Sequence, residues 1–298
     1  MKIASDQRVS VMVPTKKKVR PVKPGLIVFS DLDGTLLDFH TYAHEAAQAG
    51  LRELKRLNVP LVLVSSKTRY EIVHLRKLLA LDTPFICENG SAIFWPKDTT
   101  LEKPRGAKDK DGFWVREFGE PYADIRKHLI AFRESTKINC EGFGDWSLDT
   151  ITSLSGIPHG MVALAKKRDY SEPFVFRPMP SEATQLNYIK NLTKDRFEVV
   201  HGGRFLHLVG AGVDKGTATA ELIKWYNSVE PAKPRTLAFG DSPSDWPMMN
   251  ACDIAVAVKR PDGKYHPFLR EHKGIRLAGA PGPEGFNRMV LRLLKQMM

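Results

Sequence analysis

The sequence predicts an α/β fold in which an α+β segment is inserted into a core built on a parallel sheet. Two observations support this prediction. Short apolar runs that end in polar residues alternate with stretches of helical period in residues 25–91, and the same pattern returns after Asp214. Between these two parts, strands and helices follow in mixed order. Repeated strand–helix alternation implies right-handed crossovers between parallel strands, so the two outer parts should share one sheet.

The first predicted strand, residues 27–30, leads directly into Asp31-Leu32-Asp33-Gly34-Thr35. In an open α/β sheet, ligands bind outside the carboxyl ends of the strands, so both carboxylates should lie where a substrate can reach them. Two anions this close repel each other, and a divalent cation is the usual remedy. The sequence therefore predicts an acidic, cation-binding site at the end of this strand.

A helix is predicted over residues 43–57, and a second strand, residues 61–64, then runs into Ser65-Ser66-Lys67-Thr68 at the start of the next helix. Hydroxyls and an ammonium group beside a helix N-terminus favour binding of an anion. Ser65 or Ser66 could equally serve only as a helix cap. A third strand, residues 84–87, ends in Glu88-Asn89-Gly90, so polar residues close three successive strands on one edge of the sheet.

The middle of the chain and its last part complete the pattern. The middle part is predicted to contain strands at 92–95, 113–118, 171–176, 197–200 and 205–209 and helices at 122–136, 159–167 and 181–192. In the last part, Asp214-Lys215-Gly216 opens a helix, and a strand at 236–239 ends in Gly240-Asp241-Ser242-Pro243-Ser244-Asp245. We expect a core of residues 25–91 and 205–298, an α+β cap of residues 92–204, and a flexible basic leader of residues 1–24.

Composition narrows the possible classes of protein. The 298 residues contain 42% hydrophobic residues, enough for a large core, but no apolar run near the roughly 20 residues of a membrane-spanning helix. Three scattered cysteines favour a reducing cytoplasm over a disulfide framework. Residues 1–24 hold seven Lys or Arg against Asp6 alone, a net +6 of the total +11. Because this charge is concentrated in the leader, we expect no nucleic-acid partner. The short apolar runs lead us to expect no membrane partner, and the oligomeric state stays open.

With Ser65 and Lys215 in order between the two acidic motifs, the chain closely resembles the haloacid dehalogenase superfamily of phosphohydrolases from Leu26 onward. The resemblance implies a Rossmann-like core with a cap inserted after the third strand. It also implies that Asp31 is the nucleophile and that Asp33 is the general acid and then the base. Ser65 would bond the transferring phosphoryl group, and Lys215 would neutralise charge. The implied Mg²⁺ ligands are Asp31, Asp241 and the backbone carbonyl of Asp33, with Asp245 as a further ligand or a supporting partner.

A narrower resemblance rests on less common motifs. They are Ser65-Ser66-Lys67-Thr68, Glu88-Asn89-Gly90, Tyr170-Ser171-Glu172-Pro173-Phe174, Gly202-Gly203-Arg204-Phe205-Leu206-His207 and Val258-Lys259-Arg260-Pro261-Asp262-Gly263. These motifs are similar to those of the mannosyl-3-phosphoglycerate phosphatase family, which implies hydrolysis of mannosyl-3-phosphoglycerate to mannosylglycerate, a compatible solute, and phosphate.

This resemblance also implies a set of substrate-binding residues. Arg204 and Lys67 would bind the anionic glycerate and phosphate, since the Arg fork suits them. Ser66, Asn89, Ser171, Glu172 and His207 would make further contacts with the substrate. Other roles stay open at this point, because His207 could be a core histidine, Glu172 a turn cap and Arg204 an ion-pair partner.

One departure from the family pattern keeps the substrate open. Ser244 stands where the family usually has Asn before the last motif aspartate, and the shorter side chain changes a contact with the substrate or the metal shell. Glucosyl-3-phosphoglycerate, sucrose phosphate or a broader set of sugar phosphates are alternative substrates. A phosphomutase could share the same core. A nucleic-acid-binding or regulatory module that uses the basic leader is the alternative from a different class, and it leaves the acidic motifs unexplained.

Overall fold

The structure is a computed structural model that describes residues 25–100, 102–194 and 196–297. The leader expected at residues 1–24 lies outside the described residues. The strands are β1 (Leu26–Ser30), β2 (Leu61–Val64), β3 (Phe85–Cys87), β4 (Ala92–Pro96), β5 (Lys108–Lys110), β6 (Phe113–Glu117), β7 (Cys140–Gly142), β8 (Ser171–Phe176), β9 (Phe197–His201), β10 (Leu206–Gly210), β11 (Arg235–Gly240), β12 (Ile254–Lys259) and β13 (Arg276–Pro281).

The α-helices of the described ranges are α1 (Gln48–Arg56), α2 (Arg69–Leu78), α3 (Tyr122–Thr136), α4 (Leu148–Ser155), α5 (His159–Lys166), α6 (Glu182–Leu192), α7 (Lys215–Val229), α8 (Trp246–Asn250), α9 (Pro267–Glu271) and α10 (Gly282–Met297). Within these ranges, no helix combines the length and the apolar character needed to span a membrane.

A nine-stranded sheet forms the core, in the order β13-β12-β11-β1-β2-β3-β4-β6-β5. The pairs from β13 to β3 are parallel, as predicted, and β4, β6 and β5 extend the sheet antiparallel. Side chains alternate between its two faces. Val28 packs with α1, α2 and α10 on one face, whereas Ile27 and Phe29 pack with α7 and α8 on the other. The predicted α/β fold is confirmed.

A second, four-stranded sheet has the order β7-β8-β10-β9 and is antiparallel throughout. Helices α3 and α6 pack on it through Ile125, Leu129 and Leu192. Helices α4 and α5 form a separate apolar cluster around Phe143 and Trp146. This unit is the α+β segment that the change of sequence pattern indicated.

The two sheets divide the chain at positions that differ from the expected bounds of 92–204 for the cap. Strand β4 turns back on β3, with Ala92 opposite Cys87, so β4 to β6 join the core sheet. Strand β10, expected in the core, pairs with β8 and β9 and joins the smaller sheet. The division into two domains stays a proposal, and we place the inserted cap at residues 119–210.

Local backbone features bring the polar strand ends together. Helix α2 begins with a capping box between Thr68 and Glu71, and Asp214 caps α7 by accepting from Thr217 N at 2.7 Å. Gly90 has a φ of +101°, and a Cβ there would lie 2.0 Å from the Asp214 carbonyl oxygen. The turn after β3 therefore requires glycine, since any side chain would displace the start of α7 where Lys215 stands.

Candidate active site

Three carboxylates meet at the carboxyl ends of β1 and β11, which are parallel neighbours. One oxygen from each of Asp31, Asp241 and Asp245 lies within 4.8 Å of the others, and all three residues are buried. Gly34, with a φ of +85°, makes this approach possible, because a Cβ there would lie 2.9 Å from Asp241 Oδ2. Gly34 of the first motif thus leaves room for the Asp241 carboxylate of the second motif.

Lys215, the first residue of α7, is the counter-charge of this acidic cluster. Its Nζ donates to Asp31 Oδ1 at 2.7 Å and to Asp245 Oδ1 at 2.6 Å, and the residue is 3% exposed. Burial alone would lower the pKa of the ammonium, but Asp245 and Asp31 together raise it above its ordinary value. Lys215 is therefore charged at neutral pH and holds two of the acids in place.

With all three carboxylates ionised, the cluster would hold more negative than positive charge. Burial, followed by the repulsion of Asp245, raises the pKa of Asp31 from 3.8 to about 7. Burial and the same neighbour raise the pKa of Asp241 well above its ordinary value. Buried carboxylates that repel one another and have one ammonium between them fit a hard divalent cation, which prefers oxygen ligands.

The oxygens of Asp245 are both used within the protein. Oδ1 accepts from Lys215, and Oδ2 accepts from the backbone N–H groups of Asp241 and Ser242 at 3.1 and 3.0 Å and from the Ser242 hydroxyl at 2.9 Å. These bonds shape the loop that carries Asp241. Of the two roles left open for Asp245, the hydrogen bonds favour the supporting one.

Asp33 lies beside a second buried ammonium. Lys67 Nζ is 2.9 Å from Asp33 Oδ2 and 3.6 Å from Glu71 Oε1, and it lies 4.6 Å from the centre of the Tyr42 ring. Although burial lowers the pKa of Lys67, Asp33 and Glu71 raise it above the ordinary value. Asp33 Oδ1 is buried and accepts no hydrogen bond from the described residues. Asp33, the expected general acid, thus has one carboxylate oxygen paired with Lys67 and one without a hydrogen-bond partner among the described residues.

A cavity lies between the core and the cap, with residues from both in its wall. It brings together most of the predicted site residues, namely Asp31, Asp33, Ser66, Lys67, Asn89, Arg204, His207, Lys215, Asp241 and Ser244. Asn89 reaches it from a left-handed backbone with a φ of 62°, and its Nδ2 finds no partner among the described residues. An unpaired amide N–H in the wall of a polar cavity is suited to a ligand oxygen.

Two other predicted residues lie directly behind this wall. They are Asp245, which is completely buried, and Ser65, which is 1% exposed. The hydroxyl of Ser65 accepts from Lys67 N at 3.2 Å. Ser65 O also accepts from Asn89 N at 3.0 Å. The hydroxyl of Ser65 therefore shapes the loop that carries Lys67.

Glu172 and Ser171 do not reach the cavity, contrary to the expected contacts with substrate. Glu172 is completely buried within the cap and accepts from Tyr122 Oη at 2.6 Å, Gly144 N at 2.8 Å and Arg126 Nη1 at 3.0 Å. The hydroxyl of Ser171 donates to Glu88 Oε2 at 2.7 Å. Both side chains are therefore held inside the protein, Glu172 within the cap and Ser171 against the turn after β3 of the core.

Among the residues of the cavity wall that sequence reasoning missed are Phe39, Tyr42, Phe143 and Arg168. Arg168 lies two residues before the first residue of the Tyr170 motif and donates to Ser66 O at 2.7 Å and to Ser171 Oγ at 2.8 Å. Its guanidinium thereby joins cap and core. Phe39 and Tyr42 lie in the loop that follows the first aspartate motif, and two aromatic residues so near a catalytic motif were the available signal.

His207 is a buried histidine in the cavity wall, 6% exposed, and its Nδ1 lacks a partner in the described ranges. Burial, with Arg168 and Lys215 nearby, lowers the pKa of His207 to about 3. The unfolded chain binds a proton near pH 6.5, whereas the folded chain does not. The stabilisation by neutral His207 is therefore complete above pH 6.5 and is lost as the pH falls toward 3.

We expect the His207→Gln variant to lose this acid sensitivity. Wild type should lose about 2 kcal/mol of unfolding free energy from this group between pH 6.5 and pH 5. The stability gap between wild type and the variant should shrink by that amount, as measured by urea unfolding at both pH values. His201→Gln, at an exposed histidine on β9, is the control and should track wild type. A gap that is equal at both pH values would contradict the neutral buried imidazole.

Comparison with known proteins identifies the family. A model of the haloacid dehalogenase-like hydrolases matches residues 28–110 and 166–263. The chain belongs to the haloacid dehalogenase-like hydrolase family. The two matched ranges contain every member of the acidic cluster together with Lys215 and Lys67. The predicted enzyme class, a phosphoric monoester hydrolase, is confirmed.

Two curated relatives narrow the resemblance, and both are named glucosyl-3-phosphoglycerate/mannosyl-3-phosphoglycerate phosphatase. The protein from Persephonella marina is 34% identical over 91% of this chain and 98% of its own length. The protein from Methanococcoides burtonii is 36% identical over 90% of this chain and 97% of its own length. The resemblance drawn from the short motifs is thus confirmed.

Among solved structures, the chain is similar to a phosphatase of the haloalkanoate (HAD) enzyme superfamily from Bacteroides thetaiotaomicron. The TM-score is 0.63 at 17% identity, over 97% of this chain and 98% of that chain. At this identity the likeness supports the fold.

Proposed function

We propose that this protein is a Mg²⁺-dependent phosphatase that hydrolyses mannosyl-3-phosphoglycerate to mannosylglycerate and phosphate through an aspartyl-phosphate on Asp31. The observation that carries the proposal is that Asp31, Asp33 and Lys215 lie beside one cavity, whose wall also contains cationic side chains from the core and from the cap. Phosphoryl transfer chiefly needs positioning and neutralisation of charge, and this arrangement supplies both.

In the first step, the free oxygen of Asp31 attacks phosphorus while Lys215 holds the other oxygen at 2.7 Å. Asp33 gives a proton to the leaving oxygen of the glycerate and so acts as the general acid. In the second step, Asp33 takes a proton from water, which attacks the aspartyl-phosphate. Lys67, 2.9 Å from Asp33 Oδ2, orients this carboxyl group in both steps.

Asp31, Asp241 and the backbone carbonyl of Asp33 are the residues that would hold Mg²⁺, with Asp245 fixing the loop behind Asp241. When bound, the ion would neutralise the phosphate oxygens and relieve the repulsion within the acidic cluster. The proximity of the three buried carboxylates, with the burial and repulsion that raise the pKa of Asp31 and Asp241, supports this part of the proposal.

The cavity suits a substrate that carries two anionic groups. Lys67 comes from the core and Arg204 from the cap, so one can face the phosphate and the other the carboxylate of a glycerate. Asn89, His207, Ser66 and Ser244 offer neutral polar groups for hydroxyls. The names of both curated relatives carry glucosyl- as well as mannosyl-3-phosphoglycerate, which favours the glucosyl compound as a second substrate.

A panel of phosphorylated substrates, with the specificity constant measured for each, tests this proposal. We expect the specificity constant for mannosyl-3-phosphoglycerate to exceed that for sugar phosphates without a carboxylate, sucrose phosphate included, by about 10- to 100-fold, because a charged hydrogen bond contributes roughly 1.5–3 kcal/mol. Free phosphate is the readout, and EDTA should abolish its release. Equal constants across the panel would contradict glycerate recognition. Phosphate found on another hydroxyl, with none released, would indicate a phosphomutase.

We place the enzyme in the cytoplasm, in the synthesis of mannosylglycerate as a compatible solute. The three cysteines, Cys87, Cys140 and Cys252, are all free thiols, and two of them are buried, which supports a reducing compartment.

A further inference from the structure

Tyr42 lies where a loop of the core meets the cap. Its hydroxyl donates to the Ser155 carbonyl of α4 at 3.2 Å and accepts from Arg204 Nη1 at 3.0 Å. Its ring lies 4.6 Å from Lys67 Nζ and 5.5 Å from the guanidinium carbon of Arg204. Tyr42 thus contacts Lys67 of the core and Arg204 of the cap, and both of these side chains line the cavity.

Phe39 strengthens the same contact. The guanidinium of Arg204 stacks on its ring at 4.0 Å and donates to its carbonyl oxygen. A Cβ at Gly203 would lie 3.2 Å from the Phe39 ring, so glycine allows the cap turn to approach this closely. Arg204 therefore already has aromatic and hydrogen-bonding partners in the core, which fix the direction in which its remaining donors point.

The loop that carries these aromatic residues is braced from within. The Asp38 carboxylate accepts from His40 N at 3.0 Å and from Thr41 N at 2.8 Å, and the Asp38 carbonyl accepts from Tyr42 N at 3.0 Å. The loop follows Leu37, which is 1% exposed, directly after the first aspartate motif. Such a loop offers the cap a preformed surface.

This contact lies far from the points where the chain crosses between the sheets. At Gly210, the last residue of β10, a Cβ would lie 3.0 Å from Glu120 N, so this end of the strand adjoins the incoming connection. Arg204 precedes the other end of β10, and the strand itself spans roughly 13 Å at 3.3 Å per residue. A rotation of the cap about its connections would therefore move Arg204 relative to the core.

We propose that Tyr42 is a positioning residue that clasps the Arg204 of the cap beside the Lys67 of the core, so that both cations face one ligand carrying a phosphate and a carboxylate. Lys67 Nζ and the guanidinium carbon of Arg204 lie 4.6 and 5.5 Å from the centre of the same ring, so they are no more than about 10 Å apart, a distance that a three-carbon phosphoglycerate can bridge with its two ends. The inference rests on the proposed phosphatase site and adds the residue that joins its two halves.

The experiment uses the full chain with the Asp31→Asn change, which prevents turnover, and measures binding of 3-phosphoglycerate and of inorganic phosphate by calorimetry with Mg²⁺ present. We expect Tyr42→Phe, which keeps the ring, to raise the Kd of 3-phosphoglycerate about tenfold, since one hydrogen bond to a charged group is lost. Tyr42→Leu should raise it further, because both cations also lose the ring. In Tyr42→Phe, where Lys67 keeps its contact with the ring, the Kd of inorganic phosphate should change less than twofold.

A second set of variants separates positioning from general destabilisation. In an Arg204→Ala background, Tyr42→Phe should have no further effect, since the clasp is already broken. Tyr188→Phe, at a cap tyrosine packed on Phe176, is the matched control and should leave both Kd values unchanged. Equal weakening of both ligands, additive effects of Tyr42 and Arg204, or no binding of 3-phosphoglycerate to the parent would overturn the clasp.

The same variants without the Asp31 change separate this inference from the proposed function. If the parent enzyme fails to hydrolyse mannosyl-3-phosphoglycerate but the tenfold discrimination in Kd holds, the substrate assignment is wrong and the clasp stands. If hydrolysis is normal and its KM is unchanged by Tyr42→Phe, the clasp is wrong and the substrate assignment stands. With the clasp intact in the parent, the variant should raise KM about tenfold with kcat within twofold.

Discussion

The Asp31→Asn variant is expected to lose phosphate release by on the order of 10⁴-fold in kcat, because an amide cannot serve as the nucleophile. The change keeps the shape of the side chain and removes one of the buried carboxylates that surround Lys215. The loss should be equally large for mannosyl-3-phosphoglycerate and for p-nitrophenyl phosphate, since both depend on the same attacking oxygen. Phosphate release measured under single-turnover conditions gives the answer without interference from product release.

Asp253→Asn is the matched control for this change. The Asp253 carboxylate accepts from Thr236 N at 2.8 Å near the start of β11, at the end of that strand opposite Asp241. Its kcat should stay within twofold of wild type. If Asp31→Asn keeps a tenth or more of the wild-type kcat, then Asp31 is not the nucleophile.

Lys215→Met is expected to destabilise the fold and to abolish activity together. Removing one partner of a buried ion pair costs roughly 3–5 kcal/mol, and here two carboxylates lose the same ammonium. At roughly 2–4 °C per kcal/mol, the thermal midpoint should fall by about 10 °C. Because the pKa of Lys215 is raised above 10.5, its stabilisation is complete at neutral pH and is lost only in alkali.

Lys224→Met, on the same helix α7 but with a side chain 74% exposed, separates the ion pairs from the effect of the substitution itself. It should shift the free energy of unfolding by no more than about 0.5 kcal/mol. Thermal unfolding followed by circular dichroism near pH 7 provides the comparison. A Lys215→Met protein as stable as the control would mean that the acidic cluster does not depend on this ammonium.

The parallel core was predictable because its signals are local. Apolar runs such as residues 61–64 that end in polar motifs specify buried strands with functional ends, and residues 43–57 show the helical period. The acidic motifs were predictable for the same reason, since Asp31 and Asp241 each follow a short apolar strand directly. Parallel pairing then brings strand ends together whatever the length of the chain between them.

The bounds of the cap and the role of its motifs were harder to predict, because they depend on which strands pair. The sequence of β10 is compatible with a strand of either the core or the cap. Its pairing with β8 places it in the smaller sheet. Glu172 stands in a motif that suggests substrate contact, yet burial and three donors fix it inside the cap. A side chain's direction along a covered strand depends on register, which short motifs do not encode.

By itself, the sequence determined the fold class, the enzyme class and the identity of the acidic cluster with Lys215, because these features follow from the order of residues within short segments. Only the tertiary structure decided that Lys67 forms an ion pair with Asp33 and that Asp245 shapes the loop of Asp241. It also decided that Tyr42 contacts both Lys67 of the core and Arg204 of the cap. Tyr42 and Arg204 are 162 residues apart in the chain. Contacts of this kind form where elements distant in the sequence pack against each other, so short sequence motifs do not encode them.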